Sequence, residues 1–164
     1  MISRWISGVV FLAMTLAPSV SFAQKMVILT RHAERADGVA TMGPSDPKLS
    51  AAGAARAEKL LAMLADANIA AIFTTEYTRT KDTAAPLAAK IKVAPEAVPA
   101  AQMNALIAKI QSHADETVFV VGHSNTVPMI IKALGGPDVF IGDNEYDSLF
   151  FYVPATKTLT RVRY

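Results

Sequence analysis

The chain has 164 residues, 52% of them apolar, with 16 basic against 14 acidic side chains. That length and apolar content suffice for one folded domain with a core and exclude a disordered chain. The near-neutral balance leaves no electrostatic footprint for nucleic acid, and the lack of cysteine excludes disulfides, thiolate catalysis and cysteine metal sites.

Met1 to Ala23 reads as a secretory signal peptide: Arg4 gives the positive start, Trp5 to Ala17 is apolar, Pro18 breaks the run, and Ser21-Phe22-Ala23 has the small-x-small pattern of a cleavage site. The apolar run falls short of the roughly 20 residues that span a bilayer. The mature chain is expected to begin at Gln24 as a single domain over 24–164, periplasmic or secreted, with no membrane contact after cleavage. Removal of the leader takes away Arg4 and no acid.

Met26-Val-Ile-Leu-Thr-Arg31 reads as a strand covered on both faces, stopping at Arg31-His32 with Glu34 just beyond. Ala36 to Lys48 is a loop by its Gly, Pro and small residues. Ser50 is placed to cap a helix whose apolar face is Ala57, Leu60, Leu61 and Leu64. Ile69 to Thr74 is the second strand, and a helix from Arg79 to about Lys90 follows, with a kink expected at Pro86. Ile91 to Val98 makes a poor strand because Pro95 interrupts it. Met103 to His113 has helical spacing, and Thr117 to Val121 is the clearest strand of the chain. Gly122-His123-Ser124-Asn125 follows it, then a helix from about Thr126 to Gly135-Gly136. Leu149 to Val153 and Thr158 to Val162 read as a closing hairpin. The alternation predicts an α/β three-layer sandwich: a mostly parallel central sheet with helices on both faces and a C-terminal antiparallel hairpin.

In such sheets ligands sit beyond the carboxyl ends of the strands. Three strands deliver polar groups to that edge: Arg31 and His32, then Arg79, then His123. Two guanidiniums and two imidazoles suit a phosphoryl group with three peripheral oxygens. A neutral imidazole can attack phosphorus if its other nitrogen is held as N–H, and the surrounding cations would stabilise the charge that develops. No metal or other cofactor is then required, and the three histidines lack zinc-type spacing.

Four blocks carry a resemblance: Thr30-Arg31-His32-Ala33-Glu34, Leu49 to Ala57, Thr75 to Ala84 with Arg79 inside it, and Val121-Gly122-His123-Ser124. In this order they resemble the histidine phosphatase superfamily, also called phosphoglycerate mutase-like, and its short exported bacterial members in particular. The resemblance implies a phosphatase of the phosphoric monoester hydrolase type, with His32 as a nucleophile that becomes phosphohistidine. It implies that Arg31, Arg79 and His123 bind the phosphoryl group of a small phosphorylated substrate or phosphoprotein. For the proton on the leaving group Glu34 is the favoured acid by proximity, with Asp46, Glu76 and Glu145 as alternatives. A phosphate or phospho-ligand binding protein with little turnover is the alternative reading.

Overall fold

The computed structural model describes residues 25–38 and 45–164; the segment read as a signal peptide and part of the loop before Lys48 lie outside the described residues. Six strands and four helices follow in the order β1 (Met26–Arg31), α1 (Ala51–Leu64), β2 (Ile69–Thr74), α2 (Thr78–Ile91), β3 (Pro95–Ala97), α3 (Met103–Ser112), β4 (Thr117–Gly122), α4 (Thr126–Ala133), β5 (Ser148–Val153) and β6 (Thr158–Arg163). They form one sheet in the order β3-β2-β4-β1-β5-β6. The β2–β3, β2–β4 and β1–β4 pairs are parallel, and β5 and β6 close the sheet as an antiparallel hairpin beside β1.

The period-two alternation of the central strands divides the core. Val27 and Leu29 of β1 and Val118 and Val120 of β4 pack with Leu106 and Ile110 of α3 and Ile130 and Ile131 of α4. Ile28, Phe119 and Val121 point the other way, into Leu60 and Leu64 of α1 and Ala84 and Leu87 of α2. Burial on both faces explains why β1 and β4 read as unbroken apolar runs.

Local signals set the element ends. The Ser50 hydroxyl accepts the Gly53 N–H at 3.1 Å and caps α1. Helix α2 continues through Pro86 and closes at Lys92 in the left-handed conformation. The poor strand around Pro95 is reduced to three exposed residues at the sheet edge, with Pro95 as the first, where its missing N–H costs no ladder bond. Helix α4 ends as Gly135, with φ of +88°, donates to Lys132 O, and Gly136 donates to Ile131 O.

The chain leaves β1 towards α1 on one face and leaves β4 towards α4 on the other. These two neighbouring strands therefore open a crevice at their carboxyl ends.

Candidate active site

The two histidines of interest meet at that crevice. Strand register pairs Arg31 with Gly122, and the His32 N–H donates to the Gly122 carbonyl at 2.9 Å. The next residue on each chain is thereby brought beside its counterpart, and the rings of His32 and His123 lie 5.3 Å apart, edge to face. Both rings are buried, as are Arg31 and Arg79.

His32 Nδ1 lies 2.8 Å from the Ala33 carbonyl. A carbonyl only accepts, so Nδ1 carries the proton and Nε2 keeps its lone pair. Burial pushes the His32 pKa down to about 4; the Ala33 bond opposes this, and the charges of Arg31, Arg79 and Arg35 add to it. The imidazole is neutral at pH 7, the form that can attack an electrophile.

Arg79 is the second residue of α2, set by the turn that follows β2. The Thr83 hydroxyl one turn later donates to the Arg79 carbonyl at 2.7 Å and accepts the Ala33 N–H at 2.9 Å. That one side chain fixes the loop after β1 to the helix that carries Arg79. The Arg79 guanidinium lies 4.1 Å from the centre of the Tyr77 ring, and Arg31 stacks at the same distance on Tyr146. Arg31 Nη1 also donates to the carbonyls of Gly142, Asp143 and Glu145 at 3.0, 2.6 and 3.1 Å. It thus draws the Gly142–Asp147 loop over the site, with Tyr146 6.1 Å from His32. Burial lowers the pKa of both arginines, but a guanidinium remains charged at neutral pH.

The surroundings of His123 set its charge. A protonated His123 would add a third cation, but burial first, then His32 and the charges of Arg79, Arg31 and Arg35, push its pKa down to about 3. The ring is neutral at pH 7. Its Nε2 lies 3.1 Å from the Thr75 hydroxyl.

Glu34, the acid nearest His32 in sequence, is paired to α1. Its carboxylate is held in a fork by Arg56, with Nε at 3.0 and 2.9 Å and Nη2 at 2.6 Å, and Arg56 Nη1 reaches the Tyr164 carbonyl at 2.9 Å. Burial pushes the Glu34 pKa up, but the Arg56 hydrogen bonds, a backbone bond and the charges of Arg56 and Arg31 leave it below the usual carboxylate range. An ionised, doubly bonded carboxylate is a poor proton donor, so the geometry makes Glu34 an anchor between β1 and α1. The approach is close: a Cβ on Gly53 would lie 2.3 Å from the Glu34 carbonyl oxygen.

The other acids are also engaged. Asp46 accepts the Thr78 N–H at 2.9 Å and the Thr78 hydroxyl at 2.8 Å, capping α2 across the loop, and lies 3.5 Å from Arg79 Nη1. Burial raises its pKa, and the Thr78 bonds and the Arg79 and Lys81 charges bring it below the usual value. Glu76 accepts the Ala100 N–H at 2.8 Å, and Glu145 is held by Ser148 and Arg161. His113, at the end of α3, faces Glu116 at 2.7 Å, away from the crevice.

Several residues at the site had no signal in the sequence reading. Arg35 is buried, paired to Asp37 at 2.7 Å and to Ser45 at 2.9 Å, and its charge reaches both histidines. Its place three residues after His32 was the available clue. Thr75, Tyr77 and Thr80 lie within the block that carries Arg79, but nothing in their spacing separates them from turn residues.

Residues 27–102 match the histidine phosphatase superfamily (branch 1). No curated protein matches the sequence. Among solved structures, mycobacterial glucosyl-3-phosphoglycerate phosphatase with inorganic phosphate is similar in fold, with a TM-score of 0.65 at 14% identity over 85% of this chain and 95% of that one. An Agrobacterium tumefaciens protein assigned as phosphohistidine phosphatase SixA gives a TM-score of 0.60 at 20% identity, covering 84% and 96%. Phosphoserine phosphatase from Entamoeba histolytica in complex with 3-phosphoglyceric acid gives 0.63 at 14%, covering 84% and 94%.

Proposed function

We propose that this chain, whose residues 27–102 match the histidine phosphatase superfamily, is a metal-independent phosphatase of that superfamily that hydrolyses a phosphomonoester or phosphoramidate through a phosphohistidine on His32. One observation carries the reading: the Nδ1–H of His32 is held by the Ala33 carbonyl, so the Nε2 lone pair is available beside two buried guanidiniums. In the first step His32 Nε2 forms a bond to phosphorus as the bond to the leaving group breaks, and the leaving group departs with the electron pair. Arg31 and Arg79 stabilise the charge on the peripheral oxygens. In the second step water attacks the phosphohistidine, releasing phosphate and restoring His32. The arginines supply the positive charge, which is the reason for reading the reaction as needing no metal.

The substrate class follows from the acids. Glu34, Asp46, Glu76 and Glu145 are each committed to protein donors. Leaving groups that need little protonation are therefore favoured: phosphoramidates such as phosphohistidine, acyl phosphates and aryl esters. The name of one fold relative as a phosphohistidine phosphatase supports the same direction, while the relatives named for glucosyl-3-phosphoglycerate and phosphoserine support the broader class of phosphomonoesters. The leader-like Met1 to Ala23 supports a reaction in the periplasm or outside the cell.

The test is hydrolysis of an aryl phosphate in excess chelator by the wild type and by His32→Ala. Turnover that is lost with His32 supports the proposal, and turnover that survives it contradicts the proposal. The committed acids also favour a second reading, a phosphate-binding protein of the same fold. Tight binding of orthophosphate or vanadate without turnover on a panel of phosphoesters and phosphoramidates would select it.

A further inference from the structure

His123 is the one imidazole of the pair with no carbonyl to fix its proton, and a chain of hydroxyls does so instead. The Thr80 hydroxyl has three acceptors in range: Tyr77 O at 2.8 Å, Thr75 O at 3.2 Å and Thr75 Oγ1 at 2.9 Å. The shortest is the carbonyl three residues back in the first turn of α2, the usual target of a helical threonine. A hydroxyl has one proton and two lone pairs. With its proton on Tyr77 O, Thr80 Oγ1 is an acceptor to Thr75, from the backbone N–H at 3.2 Å and from the hydroxyl at 2.9 Å. The Thr75 proton is then spent on Thr80. Thr75 Oγ1 in turn accepts twice, from the Tyr77 N–H at 3.4 Å and from His123 Nε2 at 3.1 Å. Every donor and lone pair of the two threonines is used, and His123 must carry its proton on Nε2.

That leaves His123 Nδ1 as a lone pair, buried and without a hydrogen-bond partner among the described residues. The groups around the ring are His32, Arg31 and Arg35 from β1 and its loop, Arg79 from α2 and the Tyr77 ring at 5.4 Å. On the α4 side the Thr126 hydroxyl accepts the backbone N–H of His123 at 2.9 Å. None of these places a carboxylate against the ring, and the cations among them oppose a proton on it. A lone pair repels a fully ionised phosphoryl oxygen but accepts a hydrogen bond from a protonated one.

We infer that the Thr75–Thr80 hydroxyl relay locks His123 with Nδ1 as an acceptor, so that this site takes a phosphoryl group in with one proton attached, as the monoanion. The inference rests on the reading of the crevice as a phosphoryl site. Once inside, the shared proton lies between His123 Nδ1 and a phosphoryl oxygen, and the pair carries the same charge wherever it resides. Thr75 and Thr80 are positioning residues; His123 is the group that touches the ligand.

The experiment pairs nitrogen NMR of the histidines in the free protein with phenylphosphonate binding as a function of pH, a ligand whose phosphoryl group carries one proton as the monoanion and none as the dianion. The wild type should show His123 as the Nε2–H tautomer. Its phenylphosphonate affinity should fall about tenfold per pH unit above the second pKa of the phosphonate, the slope of one bound proton. Thr75→Val removes the acceptor, frees the ring to place its proton on Nδ1, and should flatten that slope, since an Nδ1–H welcomes the dianion. Thr75→Ser should restore both the tautomer and the slope, which a loss of packing alone would not allow. Thr80→Ala, which frees the Thr75 proton to turn towards His123, should shift the tautomer in the same direction as Thr75→Val. An Nδ1–H tautomer in the wild type, or a slope that survives in Thr75→Val, would overturn the inference while leaving the phosphatase reading standing. Failure of phenylphosphonate to bind at any pH, with the tautomer as stated, would overturn the phosphoryl reading of the crevice and the monoanion with it.

Discussion

The basic and acidic groups of the site are built in opposite ways. Arg31, His32, Arg79 and His123 project from strand ends and the first turn of α2, each no more than 3% exposed, inside a frame fixed by β-sheet register. The carboxylates sit on loops and turns, half-buried or exposed, each tied to another element: Glu34 to α1, Asp46 to the start of α2, Glu76 to the turn before α3, Glu145 to β6. The basic groups are thus part of the core, whereas each of the four candidate acids is tied to donors of the protein itself. Under the proposed function, the difference separates substrate binding, which rests on the fold, from leaving-group chemistry, which the substrate supplies.

The comparison can be broken first on the basic side. Replacing Arg79 by Gln keeps a polar side chain and removes the charge; kcat should fall by about 10²–10³, as for loss of one transition-state donor. Steady-state kinetics with an aryl phosphate measures it, and a change in KM alone would demote Arg79 to ground-state binding.

Gly53→Ala attacks the acidic side through the backbone. The new Cβ meets the Glu34 carbonyl, so α1 must move away from the catalytic loop. A stability loss of about 1–3 kcal/mol is expected from overpacking, read from denaturant midpoints. An unchanged midpoint would mean that the α1 approach is slack.

Acid should expose the burial of the two imidazoles. Their pKa values are held at about 4 and about 3, below the value of about 6.5 for an unfolded histidine. Between these values the unfolded chain binds more protons, so stability is full above pH 6.5 and is lost as pH falls through 5 towards 3. At pH 5 the loss should be on the order of 1–2 kcal/mol per histidine. A flat profile from pH 7 to 5, by equilibrium unfolding, would contradict this burial.

The smallest effect sharpens the comparison most. If Glu34 is an anchor, Glu34→Gln should slow an alkyl phosphate and an aryl phosphate alike, their ratio changing by less than about threefold. A selective loss of about 10²–10⁴ on the alkyl ester would return Glu34 to the role of proton donor.

These outcomes parallel what could be read from sequence. Strand alternation, the Ser50 cap and the double-glycine stop are local signals, and β1, α1, β4 and α4 form where they point. Arg31, His32, Arg79 and His123 were legible because a parallel sheet gathers its strand ends at one edge. The pairing of Glu34 with Arg56 was not legible because the two lie 22 residues apart and meet through the close passage that Gly53 permits. The Arg31 grip on the Gly142–Asp147 loop was invisible because its acceptors are backbone carbonyls, present whatever the side chains. The Thr75–Thr80 relay was invisible for a related reason: hydroxyl geometry leaves no periodic trace.

The most direct measurement is capture of the phosphoenzyme. Mature protein in excess chelator, quenched during turnover of a labelled phosphoramidate or aryl phosphate, should carry label on a single residue. Peptide mapping should place that label on His32, stable to base, labile to acid and missing in His32→Ala. Label on any other residue, or turnover that requires an added metal, would contradict a metal-independent phosphatase built on His32.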